Sequence, residues 1–279
     1  MNAQRQWWRH VIGVLAVAFV LLPVVYVVGA AFSASGDTTQ LIPRQLSMHN
    51  FSTLLSNSNY PFLRWCLNTL IVGGCSVVIS VGCAALAAYA LSRLQFRGRH
   101  GSMLAVLLIQ MFPGLLLVVA FFLFLVTVKK VVPFFGIGGY PGLILIYCGT
   151  IVGGTTWLIK GYLDSVPREL DDAALIDGCT PMVLFVRILL PLIRPILVVA
   201  GFMAFIVSIN DFVVASVVLR DKDHWTLAVG LYQFVNDKFS QSWGPFAAGA
   251  LLAAIPVIVI FQFLQRYLVA GLTQGGVRG

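Results

Sequence analysis

Apolar residues in this chain come in long unbroken runs rather than in the half-buried stripes of a soluble helix. Six runs reach the roughly 20 residues that a helix needs to cross a bilayer's hydrocarbon core: His10–Phe32, Cys66–Leu91, Met103–Val126, Pro141–Tyr162, Leu184–Ser208 and Pro245–Leu268. The pattern predicts an all-α integral membrane protein with about six transmembrane helices. Little sequence remains for a soluble domain, so the chain reads as a single transmembrane domain over 1–279, with a core of about 66–270 after a first helix at 10–32. The opening MNAQRQWWR is basic, as in a signal peptide. The run behind it is about 23 residues, longer than a signal core, and no convincing cleavage site precedes Ser33, so it reads as a retained first helix.

Departures from uniform apolarity mark where helices bend or touch. In IQMFPG, Pro113 removes a backbone donor and kinks the third helix, and Gln110 wants a polar partner, either on another helix or beside a translocation path. Ser76, Ser80, Ala84 and Ala88 fall four residues apart on the second helix, as do Gly149 and Gly153 on the fourth and Gly249 and Ala253 on the sixth. Small residues at that spacing let helices approach closely in lipid. Asn210 and Asp211 mark the outer end of the fifth helix.

Composition agrees: 59% of residues are hydrophobic and 10% charged, against about 25% charged in soluble domains. With the N-terminus inside, Arg5, Arg9, Arg93, Arg97, Arg99, Lys160, Arg168, Arg187, Arg266 and Arg278 fall on the cytoplasmic side against Arg44, Arg64, Lys129, Lys130, Arg220, Lys222 and Lys238 outside, a moderate bias that puts both termini inside. The net charge of +8 then reflects orientation and anionic headgroups, not nucleic acid.

The usual signatures of chemistry are missing. There is no GxxxxGK[ST], HExxH or GxSxG, and His10, His49, His100 and His224 are scattered. Cys66, Cys75, Cys83 and Cys148 lie in or beside apolar helices and Cys179 in a loop, without metal or disulfide spacing, so they read as packing residues. The chain is not read as an enzyme and no metal or cofactor is expected in it. No acid interrupts a helix centrally, as an ion-coupled carrier would require, so any transport must be energised from outside this subunit.

Half of the protein's ten acids (Asp164, Glu169, Asp171, Asp172 and Asp177) crowd into 14 residues between the fourth and fifth runs. Pro167 suits the first turn of a helix, Glu169, Asp171 and Asp172 suit its positive end, and Gly178 is placed to end it. The short helix would present Leu170, Ala173 and Ala174 on one face, with Leu175 and Ile176 nearby. It is shaped either to lie in another protein's groove or simply to rest at the membrane interface.

ELDDAALIDGCTPMVLFVRILLPLIRP resembles the EAA loop of the membrane subunits of binding-protein-dependent ABC importers: Asp172-Ala173-Ala174 at the E-A-A position, Gly178 as the motif glycine and Ile188-Leu189-Leu190-Pro191 at the close. IQMFP, WLIKGY, LRDKDHWTLAVGLYQF and the C-terminal stretch from Trp243 are similar to the maltose-transporter branch of the sugar permeases. The resemblance implies a type I permease in a bacterial inner membrane, paired with a second permease subunit. Two cytoplasmic ATP-binding subunits would hold the ATP and Mg, and an extracytoplasmic binding protein would deliver the sugar, whether maltose, maltodextrin or trehalose.

A coupling loop at 163–181, with a helix over Arg168–Thr180, would seat in an ATPase cleft through Glu169, Asp171, Asp172, Ala173, Ala174, Asp177 and Gly178. Asp172 replaces the family's glutamate and is one methylene shorter, which leaves Asp171 as a second candidate for that contact. Gln274, Gly275 and Gly276 of the tail would reach the ATPase subunits. In the outer loop 209–244, Asn236, Asp237, Ser240, Gln241 and Trp243 would help release sugar from the binding protein. The alternatives are another cargo such as glycerol phosphate, a carrier or channel that works without ATPase subunits, or a scaffold that only docks one.

Overall fold

In lipid every backbone polar group must be satisfied within the spanning structure, and the helix is the local answer for each apolar run. The computed structural model describes residues 7–34, 42–56, 60–236 and 242–274, the stretch from 266 by its backbone alone. Twelve helices and three short 3-10 turns (Gly114–Leu116, Pro133–Phe135 and Lys222–His224) organise these residues; the helices are named α1 to α12. They are α1 (Trp7–Ala31), α2 (His49–Ser56), α3 (Phe62–Arg93), α4 (Arg99–Gln110), α5 (Leu117–Val131), α6 (Tyr140–Asp164), α7 (Glu169–Ile176), α8 (Pro181–Leu192), α9 (Arg194–Asn210), α10 (Val213–Val218), α11 (Leu227–Asn236) and α12 (Trp243–Gln274). Five segments are long and apolar enough to cross a membrane, and the bent pair α8–α9 makes a sixth.

Two expected spans are broken. The third run, expected as Met103–Val126, divides into α4 and a second segment, Gly114–Val131. Pro113 adopts an extended ψ of 115° and has no N–H to continue the ladder. The fifth run, expected as Leu184–Ser208, bends by 75° between Leu192 and Arg194. Its first part loosens into a π-turn over Phe185–Leu189. Pro191 and Pro195, one turn apart, each lack the N–H of the i→i−4 ladder here, which is the standard cause of such a kink.

The chain packs as two compact units, Met1–Cys66 with Val229–Pro256, and Leu67–Ala228 with Val257–Gly279. In the first, the buried Asn50 amide donates to the carbonyls of Ala31 and Ser33, each at 2.9 Å, and so satisfies the end of α1. Ala30, Ala31, Ala247 and Ala248 pack together, and the fully buried Trp65 ring lies against Gly230, where any Cβ would collide.

In the second unit the stripe Ser76, Ser80, Ala84 and Ala88 is completely buried. Ala84, Ala88 and Tyr89 of α3 join Ile159 and Leu163 of α6, Ala174 of α7, and Leu184, Phe185 and Leu189 of α8 in one apolar cluster. Gly153 and Gly154 make room for the Gln110 side chain, which lines an open, mostly apolar groove of about 820 Å³ between α4, α5 and α6. Asp211 is more than a solvated terminus. Its carboxylate accepts from Tyr147 (2.7 Å) and from the backbone of Val214 and Ala215, and so starts α10.

Overfilling the α3 stripe should therefore be costly. Ala84→Leu is expected to lower the thermal unfolding midpoint in detergent, by about 1–3 kcal/mol of overpacking. Leu86→Ala, on the exposed face of the same helix, should stay within about 0.5 kcal/mol.

Candidate functional site

The acid-rich segment folds as α7, eight residues long, with Glu169, Asp171 and Asp172 in its first turn at the positive end of the helix dipole. It is shorter than the expected Arg168–Thr180. Arg168 stands at the N-cap, with Pro167 ahead of it rather than in the first turn. At the other end Gly178 has φ +80°. Its N–H donates to the Leu175 carbonyl (3.1 Å) and that of Cys179 to the Ala174 carbonyl (3.0 Å). These two bonds form a Schellman cap, with the αL residue at the position that favours glycine. Thr180 then opens α8, its hydroxyl accepting from the Val183 N–H at 3.4 Å.

One face of α7 is turned to the protein and the other away. Asp171 and Ala174 are buried, Ala174 within the apolar cluster. Glu169, Leu170, Asp172, Ala173, Leu175, Ile176 and Asp177 are exposed, Ile176 at 86%. The expectation of Leu170, Ala173 and Ala174 on one face thus holds for the first two only. At about 100° per residue Ala174 stands about 40° from Leu170 and about 60° from Asp171, so the packed arc runs from Ala174 to Asp171 and Leu170 lies just outside its edge. The outer face of α7 thus sets open apolar side chains beside the acids of its first turn.

Asp171 does not belong to that surface. Its Oδ2 lies 2.7 Å from Nε of Arg93, at the end of α3, and the two side chains are only 13% and 5% exposed. Burial pushes the Asp171 carboxyl above the usual carboxylate range and the negative charge of Asp172 adds to this, while Arg93 and Arg168 oppose it. Nη2 of Arg93 also donates to the Val166 carbonyl at 2.9 Å. Arg168 donates to the Ser92 carbonyl at 3.3 Å, and the Ser92 hydroxyl donates to Asp164, which also pairs with Lys160.

This polar joint was not visible in the chain itself. The signal that could have found it is SRLQFRGRHG, a turn with three arginines and no acid, whose charge needs partners elsewhere.

The remaining predicted positions lie on other elements. Asn236 ends α11 and is exposed, and Trp243 opens α12 with its ring edge-on to Phe246 at 6.1 Å. Asp237, Ser240 and Gln241 lie outside the described residues. Gln274 is the last residue of α12, which runs beyond the expected Leu268, and Gly275 and Gly276 lie outside the described residues. No group of three or more histidines, cysteines or acids that could hold a metal occurs among the described residues.

Broken and continuous spans together with a short capped helix are shared with membrane chains of solved ABC importers. The structure matches a chain of a bacterial ABC transporter involved in the import of the acidic polysaccharide alginate, with a TM-score of 0.78 and 20% identity, covering 96% of this chain and 98% of that one. It also matches a chain of the MetNI methionine ABC transporter, with a TM-score of 0.58 and 18% identity, covering 81% and 99%.

The chain belongs to the family of binding-protein-dependent transport system inner membrane components, whose model matches residues 77–274. Among its relatives is the maltose/maltodextrin transport system permease protein MalG of Escherichia coli K12, 36% identical over 99% of this chain and 96% of the relative. MalG of Vibrio parahaemolyticus is 35% identical over the same shares.

Because a Cβ at Gly178 meets nothing within 4 Å, substitution there is governed by backbone conformation alone. Gly178→Val is expected to destabilise the α7–α8 turn by about 1–3 kcal/mol. Gly178→Asn, which tolerates αL, should recover most of that loss; hydrogen exchange across 169–179 checks both.

Proposed function

We propose that this chain is one of the two permease subunits of an ATP-driven, binding-protein-dependent sugar importer, with maltose, maltodextrin or trehalose as its cargo. The observation that carries this reading is the near full-length similarity to MalG at 35–36% identity. The exposed acidic and apolar face of α7 supports a second point, that α7 lies on the cytoplasmic side and seats in a cleft of a soluble ATPase subunit. With the positive-inside bias this orientation puts both termini in the cytoplasm.

In this reading ATP and Mg are held by two partner ATPase subunits, and the present chain carries out no bond-breaking chemistry. Closure of the ATPase pair displaces α7, and the displacement favours the outward-facing arrangement of the spans, since only contacts that differ between two states can shift their balance. Asp172, exposed and in the first turn, is the acid available to an ATPase arginine. Its shorter reach compared with glutamate requires the helix to sit closer to the partner. Asn236, Asp237, Ser240, Gln241 and Trp243 are proposed to meet the extracytoplasmic binding protein, and Gln274, Gly275 and Gly276 to meet the ATPase.

Reconstitution in lipid with the partner permease, the ATPase and the binding protein tests the proposal. ATP hydrolysis is expected to rise with one loaded binding protein in a panel of maltose, maltodextrin, trehalose and glycerol phosphate. A rate indifferent to every cargo would end the sugar-importer reading. Reversing charge at an exposed first-turn site costs the helix no more than about 1 kcal/mol, so Asp172→Lys should leave the chain folded. It should also weaken ATPase capture about tenfold, equivalent to about 1.4 kcal/mol.

A further inference from the structure

A lever eight residues long cannot transmit force by its own stiffness, because isolated helices of that length are marginal in water. What holds α7 in place therefore decides what its movement can do. Its C-terminal end is tied covalently, through the Gly178 cap, to α8. Its N-terminal end carries a second, non-covalent tie: the Arg93 guanidinium bridges the Asp171 carboxylate at 2.7 Å and the Val166 carbonyl at 2.9 Å, and Arg168 reaches back to the Ser92 carbonyl at 3.3 Å. Ala174, one turn after Asp171, packs into the cluster that contains Tyr89, Leu163 and Phe185. The acidic stretch thus divides by role, with Asp172 facing out and Asp171 facing the membrane domain.

We propose that Arg93 and Asp171 are a positioning pair that fastens α7 to the end of α3, so that a displacement of α7 is carried into α3 as well as into α8. This rests on the reading of α7 as the ATPase-docking helix. The alternative role for Asp171, a second acid offered to the ATPase, conflicts with its burial and with its occupation by Arg93. A buried pair broken on one side leaves an uncompensated charge, so Arg93→Gln is the harsher change and Asp171→Asn the milder. Arg93→Lys keeps a cation for Asp171 on a flexible stem.

The test uses the complete complex of permease pair, ATPase and binding protein, with two readouts. Hydrogen exchange across 169–176 is measured without cargo, and sugar moved per ATP hydrolysed is measured with maltose. Asp171→Asn and Arg93→Gln are expected to speed exchange in α7 and lower sugar moved per ATP, each at least about fivefold, while the ATPase still co-purifies. Arg93→Lys, which keeps the cation for Asp171 but not the fork, should fall between the parent and Arg93→Gln on both readouts.

Parent-like exchange and coupling in Asp171→Asn would overturn the proposal, and so would loss of the ATPase from that variant with exchange unchanged, which would make Asp171 a docking acid. If Asp171→Asn fails to accumulate, the contrast between Arg93→Gln and Arg93→Lys decides in the same way. If the parent moves no sugar but the variants still loosen α7, the tie stands and the importer reading falls.

Discussion

The last carbonyls of α3 are the constraint around which this end of the second unit is organised. A helix ends with carbonyls that have no partner of their own, and the negative end of its dipole attracts cations. Arg99 donates through Nε to Leu91 O at 2.8 Å and through Nη2 to Ser92 O at 3.4 Å, and Arg168 adds its bond to Ser92 O. Arg93, the last residue of α3, then faces outward from the same end to Val166 and Asp171. A guanidinium, with five donors in a fixed fork, can serve two acceptors at once where an ammonium acts as a point charge. The arginines that orient a membrane protein by their number here also close a helix and hold the next one.

That double use explains what could be read from the chain and what could not. Span existence was legible, because 20 apolar residues admit few other structures. The α7 cap was legible too, because a glycine six to nine residues after a cluster of acids has a local conformational reason. The third run was expected to kink at Pro113 and stops there instead, whereas the bend of the fifth run was not expected, although Pro191 and Pro195 were in plain view. A proline says that a donor is missing but not whether the helix bends or stops, and the answer depends on which neighbours replace the lost bonds. The inward face of α7 was not legible, because eight residues give barely two turns of periodicity. The partner that selects Asp171 over Asp172 lies on a different helix, distant in sequence.

Gly153 and Gly154 carry a related lesson. The four-residue spacing of Gly149 and Gly153 pointed to a helix approach, but no heavy atom comes within 4 Å of a Cβ built on Gly149. What crosses Gly153 and Gly154 is the side chain of Gln110, from the residue at which α4 stops. The glycines accommodate a polar group stranded by a broken helix, and the break and the small residues are one feature seen from two sides.

Stiffness is distributed unevenly along the segment from α6 to α9. Between the end of α6 and the start of α8, nearly every turn is fixed by a named bond: Lys160 and Ser92 at Asp164, Arg93 at Val166 and Asp171, the paired cap at Gly178 and Cys179, and the Thr180 cap. Tyr89 adds a bond to the Pro181 carbonyl at 3.1 Å and a ring contact with Phe185 at 4.8 Å. Beyond that point come the π-turn, two prolines that cannot donate, and the 75° bend. The ladder across the bend is thinned, not absent: Ile193 donates to the Leu189 carbonyl at 2.9 Å and Leu197 to the Ile193 carbonyl at 3.1 Å, while Pro191 and Pro195 donate nothing. Ile193, fully buried in the apolar cluster that also holds Ala174 and Leu189, is where the firmly tied segment meets the bend of the fifth span, so side-chain packing makes up there for the donors the two prolines lack.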